Sequence, residues 1–157
     1  MTTDFTVRAA RPADAGRLAE LRWMFKQEDH EGRPPTPTRP LKEAEHWIRD
    51  RLSAGHWLAW VAETEGEICG HVFLCLVERM PDPYADNNPV GYVTNYFVLP
   101  SQRNEGAGSA LLEALKRHAR SAGLEGLIVW PSERSSPLYR RLGFQPPDEL
   151  LELPLGT

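Results

Sequence analysis

"LPSQRNEGAGSALLEAL", residues 99–115, leaves an apolar run, crosses a stretch of polar and very small residues, and enters a leucine-striped helix. A loop joining a strand end to a helix N-terminus presents unpaired backbone N–H groups and the positive end of the helix dipole. Gly106 and Gly108 remove side chains that would hold an anion away from those donors, and small Ala107 and Ser109 complete the clearance. The loop therefore predicts a diphosphate cradle. Taken alone, a Gly-x-Gly is equally a tight turn before a helix. Two better-known glycine motifs do not fit: Leu111 stands where Gly-x-Gly-x-x-Gly needs its third glycine, and no Gly-Lys-Ser/Thr of a P-loop follows.

Outward from this loop the pattern switches between helix and strand periods with no linker between domains. The helix carries Leu111, Leu112, Leu115 and Ala119 on one stripe and stops at Gly123. "LIVW" reads as a strand buried on both faces, and "SSPLYRRLGF" as a short helix with Ser136 as cap, Pro137 in its first turn and Gly143 at its end. "DELLELPL" alternates as a further strand. Upstream, "VGYVTNYFVLP" is a strand, and "HWLAWVAET" and "EICGHVFLCLVERM" form an antiparallel hairpin about Gly66. "FTVRAA" opens the chain as a strand. Two helices follow, one from Pro12 with Leu18, Leu21 and Phe25 on a face, the other with Leu41, Ala44, Ile48 and Leu52. The order predicts a mixed α/β (α+β) fold in a single domain over residues 1–157.

Composition excludes several classes. The chain has 157 residues, 41% hydrophobic and 25% charged, enough for a core without metals or disulfides. A formal net charge of −4 gives no reason to expect nucleic acid as a partner. No window approaches the roughly 18 apolar residues of a membrane span, and "MTTDFTVRAA" lacks a signal-peptide pattern, so a soluble, cytoplasmic protein is expected. Cys69 and Cys75 share strand parity and read as free thiols pointing the same way, in a reducing compartment. No metal-ligand cluster is visible.

The pair "VLPSQRNEGAGSALL" and "SSPLYRRLGF", about thirty residues apart, resembles the Gcn5-related N-acetyltransferase (GNAT) family, with its Arg/Gln-x-x-Gly-x-Gly/Ala loop and Leu-Tyr-x-x-x-Gly-Phe helix end. Here the first is Arg103, Asn104, Glu105, Gly106, Ala107, Gly108; the second is Leu138, Tyr139, Arg140, Arg141, Leu142, Gly143, Phe144. The resemblance implies a mostly antiparallel sheet of about six or seven strands with about four helices, splayed between the fourth and fifth strands. It implies acetyl-CoA as co-substrate and no metal. Backbone groups of Phe97, Val98 and Leu99 would pair with the pantetheine arm, and amides from Arg103 through Asn104, Glu105, Gly106, Ala107 and Gly108 to Ser109 would hold the pyrophosphate. The Phe97 N–H is expected to stabilise the thioester oxyanion, and Tyr139 to protonate the leaving thiolate.

The chemistry is direct attack by a primary amine, whose pKa near ~10 requires that a proton be removed. No carboxylate stands in "GYVTNYFV", where relatives often carry glutamate; Asn95, at an expected bulge, orients without being a base. Glu133, beside Ser132 and Ser135, and a chain of waters stay open as the proton acceptor, and the cluster Glu28, Asp29, His30 and Glu31 as acceptor-site residues. Asn104 and Glu105 replace the Gly-Lys/Arg of many relatives, which puts CoA affinity in question. Acyl-enzyme catalysis is disfavoured, because no Gly-x-Ser-x-Gly elbow accompanies Ser135, Ser136 or His71. Trp23 or Trp47 is a candidate wall of the acceptor cleft, and the proline loops at 33–40 and 81–89 are expected to flank it. Their acidic residues favour a cationic acceptor, either a small amine or a peptide amine. A non-catalytic acyl-CoA-binding or regulatory module is the alternative, and a homodimer through the terminal strand is an open expectation.

Overall fold

Residues 4–30, 33 and 35–156 are described by a computed structural model. The strands are β1 (Thr6–Ala9), β2 (Trp57–Thr64), β3 (Glu67–Val77), β4 (Val90–Val98) and β5 (Gly126–Val129). The helices are α1 (Ala15–Asp29), α2 (Leu41–Ala54), α3 (Ala107–Ser121) and α4 (Ser136–Arg141). The sheet order follows the chain, β1-β2-β3-β4-β5, antiparallel except for the parallel β4–β5 pair. A two-residue turn joins β2 to β3, with Glu65 at φ +52° and Gly66 at φ +79°. Two successive positive φ values suit the right-handed twist of a hairpin.

Each face of the sheet has its own core. On one side Leu111, Leu112 and Leu115 of α3 pack with Trp60, Val72, Leu74, Val98 and Tyr139. On the other, Leu18 and Leu21 of α1 and Ile48 of α2 pack with Val61, Phe73 and Phe97. The apolar stripes read from the sequence are thus the buried faces of the helices. Arg8 of β1 ties the N-terminal face together, donating to Asp14 at 2.8 and 3.0 Å and to Glu63 of β2 at 2.6 and 2.9 Å.

Four expectations change. The described residues form five strands rather than six or seven: residues 145–156 lie in no strand, and Leu150, Leu151, Leu153 and Leu155 are exposed. Pro146, Pro147 and Pro154 withhold N–H donors there, which weakens any ladder. The strand β5 lies at the sheet edge and is only half-buried, with Trp130 exposed beyond it. The first helix begins at Ala15, and Pro12–Asp14 forms a 3-10 turn before it. Finally, Cys69 is an extra residue where Ala62 pairs with Gly70 and Glu63 with Ile68, and such a bulge reverses side-chain parity. Cys69 joins the α3 core while Cys75 pairs with Trp57 of the α1–α2 face, so the two free thiols point to opposite sides.

Candidate active site

The parallel pairing of β4 with β5 runs from Val90–Gly126 to Val93–Val129 and then stops, because β5 ends there while β4 continues to Val98. Pro131, just beyond β5, cannot donate to a ladder. A cleft of about 1020 Å³ opens from this parting, bounded by β4, the ends of α1 and α3, and the loop into α4.

Within the cleft wall β4 is irregular. His71 pairs with Phe97 and Phe73 with Thr94, so Asn95 and Tyr96 together oppose one residue of β3. Asn95 sits at φ +53°, a left-handed conformation that asparagine accepts better than most side chains. The bulge foreseen at Asn95 is present. Its side chain accepts a hydrogen bond from Arg22 Nε of α1 at 3.0 Å, and its main-chain carbonyl accepts one from His71 Nδ1 at 2.6 Å. A carbonyl can only accept, so His71 carries its proton on Nδ1, leaving Nε2 buried without a partner. Burial pushes the His71 pKa down to about 4, so the ring is neutral at physiological pH.

The register corrects the expected role of Phe97. The Leu99 N–H donates to the Cys69 carbonyl of β3 at 2.9 Å, while the Val98 carbonyl accepts from Arg103 Nε at 2.9 Å. Alternate residues of an antiparallel strand turn their main-chain groups to opposite edges. The Phe97 N–H is therefore directed to β3, opposite His71, and the main-chain groups of Val98 face the gap. The resemblance implied a role for this segment, and the register sets which way its amides face.

At the cleft's other end the glycine loop has the anticipated form. Gly106 caps α3 at φ +93°, which favours glycine, and the first-turn amides of Ala107, Gly108 and Ser109 have no carbonyl one turn earlier to bond. Gly108 makes room for another group: a Cβ there would overlap the Tyr96 hydroxyl. The substitutions in the loop also find an explanation. Asn104 occupies the left-handed region at φ +66°, a position suited to the glycine of many relatives. Glu105 is exposed to solvent and does not line the cleft. Phe97, Val98, Arg103, Asn104, Gly106, Gly108 and Ser109 line the cleft; Leu99 and buried Ala107 do not.

Tyr139, only 3% exposed, lines the same cleft from α4. Its ring meets Phe144 and Tyr96 edge-on at centroid distances of 5.2 and 6.1 Å. Burial raises the phenol pKa well above its ordinary value, with neighbouring Tyr96 adding to the effect, so it stays protonated throughout the neutral range. The packing and the cleft-facing positions both hold for this residue.

Across the mouth, Glu28 at the end of α1 accepts from Arg103 Nη2 at 2.8 Å and is paired with Arg134 from the loop after β5. Hydrogen bonding to Arg103 leads the causes that hold the Glu28 carboxyl below its usual pKa range. Asp29, Ser132, Glu133 and Ser135 also line the cleft. Glu31 lies outside the described residues. Trp23 and Trp47 do not line it, Trp47 being packed edge-on against Trp57 instead, and neither does any described residue of the proline loops. Arg22, Tyr96 and Arg134 escaped the sequence reading, and His71 was weighed only for acyl-enzyme catalysis, because these residues converge from separate elements without a local motif. No cluster of three or more metal-ligating side chains occurs among the described residues, and no helix there is long and apolar enough to cross a membrane.

Comparison with known proteins agrees with this geometry. Residues 17–144 match the family model described as Acetyltransferase (GNAT) family. An aminoglycoside N(6')-acetyltransferase type 1 from Stenotrophomonas maltophilia is 32% identical over 125 residues, covering 78% of this chain and 72% of the relative. A glucosamine 6-phosphate N-acetyltransferase from Trypanosoma brucei brucei is 38% identical over 66 residues, or 42% of this chain and 45% of that protein, less than half its length. A crystal structure from Clostridium acetobutylicum, described as a "predicted acetyltransferase with acetyl-CoA", superposes with a TM-score of 0.78 at 26% identity and covers 97% of both chains. With the family match spanning the parted strands, the glycine-capped helix and the tyrosine helix alike, the chain belongs to the acetyltransferase (GNAT) family, whose members are acyl-CoA-dependent acyltransferases.

Proposed function

We propose that this chain transfers the acetyl group of acetyl-CoA to the primary amine of a small molecule by direct attack. The observation that carries the reading is the parting of β4 from β5 after Val93 and Val129, with the amide end of α3 at one end of the gap and Tyr139 in the same cleft. A donor whose pyrophosphate rests on Gly106, Gly108 and Ser109 would run its pantetheine along the open edge of β4. It meets Val98 first and the bulge next. The Tyr96 N–H, in the peptide unit after Asn95, is then the group for the thioester oxygen, in place of Phe97.

In the reaction the amine nitrogen forms a bond to the carbonyl carbon, and the C–S bond breaks as the tetrahedral adduct collapses. Tyr139 supplies the proton that the departing thiolate takes up, a role supported by its protonated state and its place on the cleft wall. Glu28 is a poor base because two arginines neutralise it. Glu133 lines the cleft, forms no ion pair among the described residues, and receives the amine proton through water. The amino-sugar relatives support a small amine over a peptide.

The test is thiol release from acetyl-CoA on addition of amines, beginning with aminoglycosides and glucosamine 6-phosphate. Amine-dependent release equal to the acetylated amine formed is the expected result. Binding of acetyl-CoA with no release across such amines would favour a non-catalytic acyl-CoA-binding module.

A further inference from the structure

The β4 bulge is held from two sides by residues that no motif announces. Arg22 grips the Asn95 side chain from α1, and His71, fully buried on β3, grips the Asn95 main-chain carbonyl. The 2.6 Å contact uses the only N–H of a neutral imidazole and leaves Nε2 in the core without a partner. A valine or leucine would fill the same apolar surroundings between Phe73 and Phe97 without burying a bare nitrogen. Such a locally unfavourable choice is expected where geometry serves function.

The geometry that it serves follows from the peptide plane. The carbonyl of Asn95 and the N–H of Tyr96 belong to one planar unit and point in opposite directions. Anchoring the oxygen on His71, beneath α1, aims the N–H away from the α1–α2 core. With Asn95 at φ +53°, the plane would otherwise be free to choose another tilt, because no ladder partner opposes it. We propose that His71 is a positioning residue for acyl transfer: its Nδ1–H holds the Asn95–Tyr96 peptide so that the Tyr96 N–H faces the thioester oxygen in the cleft. This rests on the acetyl-transfer reading for the oxygen that is met, but not for the grip itself.

The experiment compares amide spectra of ¹⁵N-labelled wild type, His71→Leu and His71→Asn, free and with acetyl-CoA added. Leucine fills the site without a donor; asparagine keeps an N–H at the Nδ1 position. Without ligand, the Tyr96 amide resonance is expected to move in His71→Leu and to return close to its wild-type place in His71→Asn. With acetyl-CoA, the amides from Gly106 to Ser109 should respond in all three proteins, and Tyr96 in wild type and His71→Asn only. In thiol release with the best amine, His71→Leu should lose about 30-fold in kcat, with the acetyl-CoA KM within about threefold, and His71→Asn should recover most of it. His71→Gln, with its amide at the Nε2 position, replaces leucine if that variant fails to fold.

An unmoved Tyr96 amide in folded His71→Leu overturns the proposal, as does a His71→Asn variant that behaves like His71→Leu. If acetyl-CoA moves no amide in wild type, the acetyl-transfer reading fails instead, and the ligand-free spectra still decide whether His71 orients this peptide.

Discussion

Replacing Tyr139 by phenylalanine is expected to reduce kcat by about 100-fold while leaving the acetyl-CoA KM nearly unchanged. Only the hydroxyl is removed. The edge-on contacts with Phe144 and Tyr96 are made by the ring and survive, so stability should move by less than about 1 kcal/mol. Steady-state thiol release and a thermal melt of the same preparation separate the two effects. The pH profile adds a second check. Because burial raises the phenol pKa, loss of the Tyr139 proton should place no basic limb on kcat below about pH 10 in wild type. Wild-type turnover in the phenylalanine variant would reduce Tyr139 to a packing residue, as its 3% exposure alone would suggest.

A second large effect is expected at Gly108, where even one methyl group is too much. A Cβ would overlap the Tyr96 hydroxyl and crowd its Cζ at 3.0 Å. Gly108→Ala must therefore displace either the tyrosine ring or the first turn of α3, and both border the space assigned to acetyl-CoA. We expect the acetyl-CoA KM to rise at least tenfold, equivalent to about 1.4 kcal/mol. Ala107 shows that a methyl group is tolerated next door, where the side chain enters the core. An acetyl-CoA KM within twofold of wild type would mean that Tyr96 yields freely and that the loop's small residues have another purpose.

Both positions were expected at the cleft because each belongs to a local pattern. The left-handed cap at Gly106, the leucine stripe of α3 and the Tyr139 helix all arise within about a dozen residues. Asn95 fell at a position where the fourth strand was expected to bulge, and its φ of +53° is one that asparagine accepts. What the sequence withheld was direction. The edge that the Phe97 amide faces depends on which strand pairs with β4 and in which register, and a single bulge changes that alternation. The same physics misled the cysteine assignment, where the bulge at Cys69 turned the two thiols apart. Alternation in "DELLELPL" predicted a strand, but Pro146 and Pro147 before it, Pro154 within it and the lack of a pairing strand among the described residues leave its leucines exposed.

Tertiary groupings were the other hidden part. Glu28 was noticed as one of a charged cluster, and its pairing with Arg103 and Arg134 joins segments 75 and 106 residues away. That pairing turns a candidate acceptor-site residue into a neutralised clasp across the mouth of the cleft. His71 is separated from Asn95 by 24 residues, and only the β3–β4 register brings them together. Conversely, Asn104 and Glu105 looked like damage to a phosphate site when read as letters. In the fold, the first meets a conformational demand and the second is exposed outside the cleft lining.

The most direct test of the central claim is a calorimetric titration of acetyl-CoA into the folded wild-type protein. Occupation of the gap between β4 and β5 predicts saturable binding with a dissociation constant on the order of micromolar, one donor per chain. The absence of saturable binding up to millimolar acetyl-CoA, in protein that melts cooperatively, would contradict it.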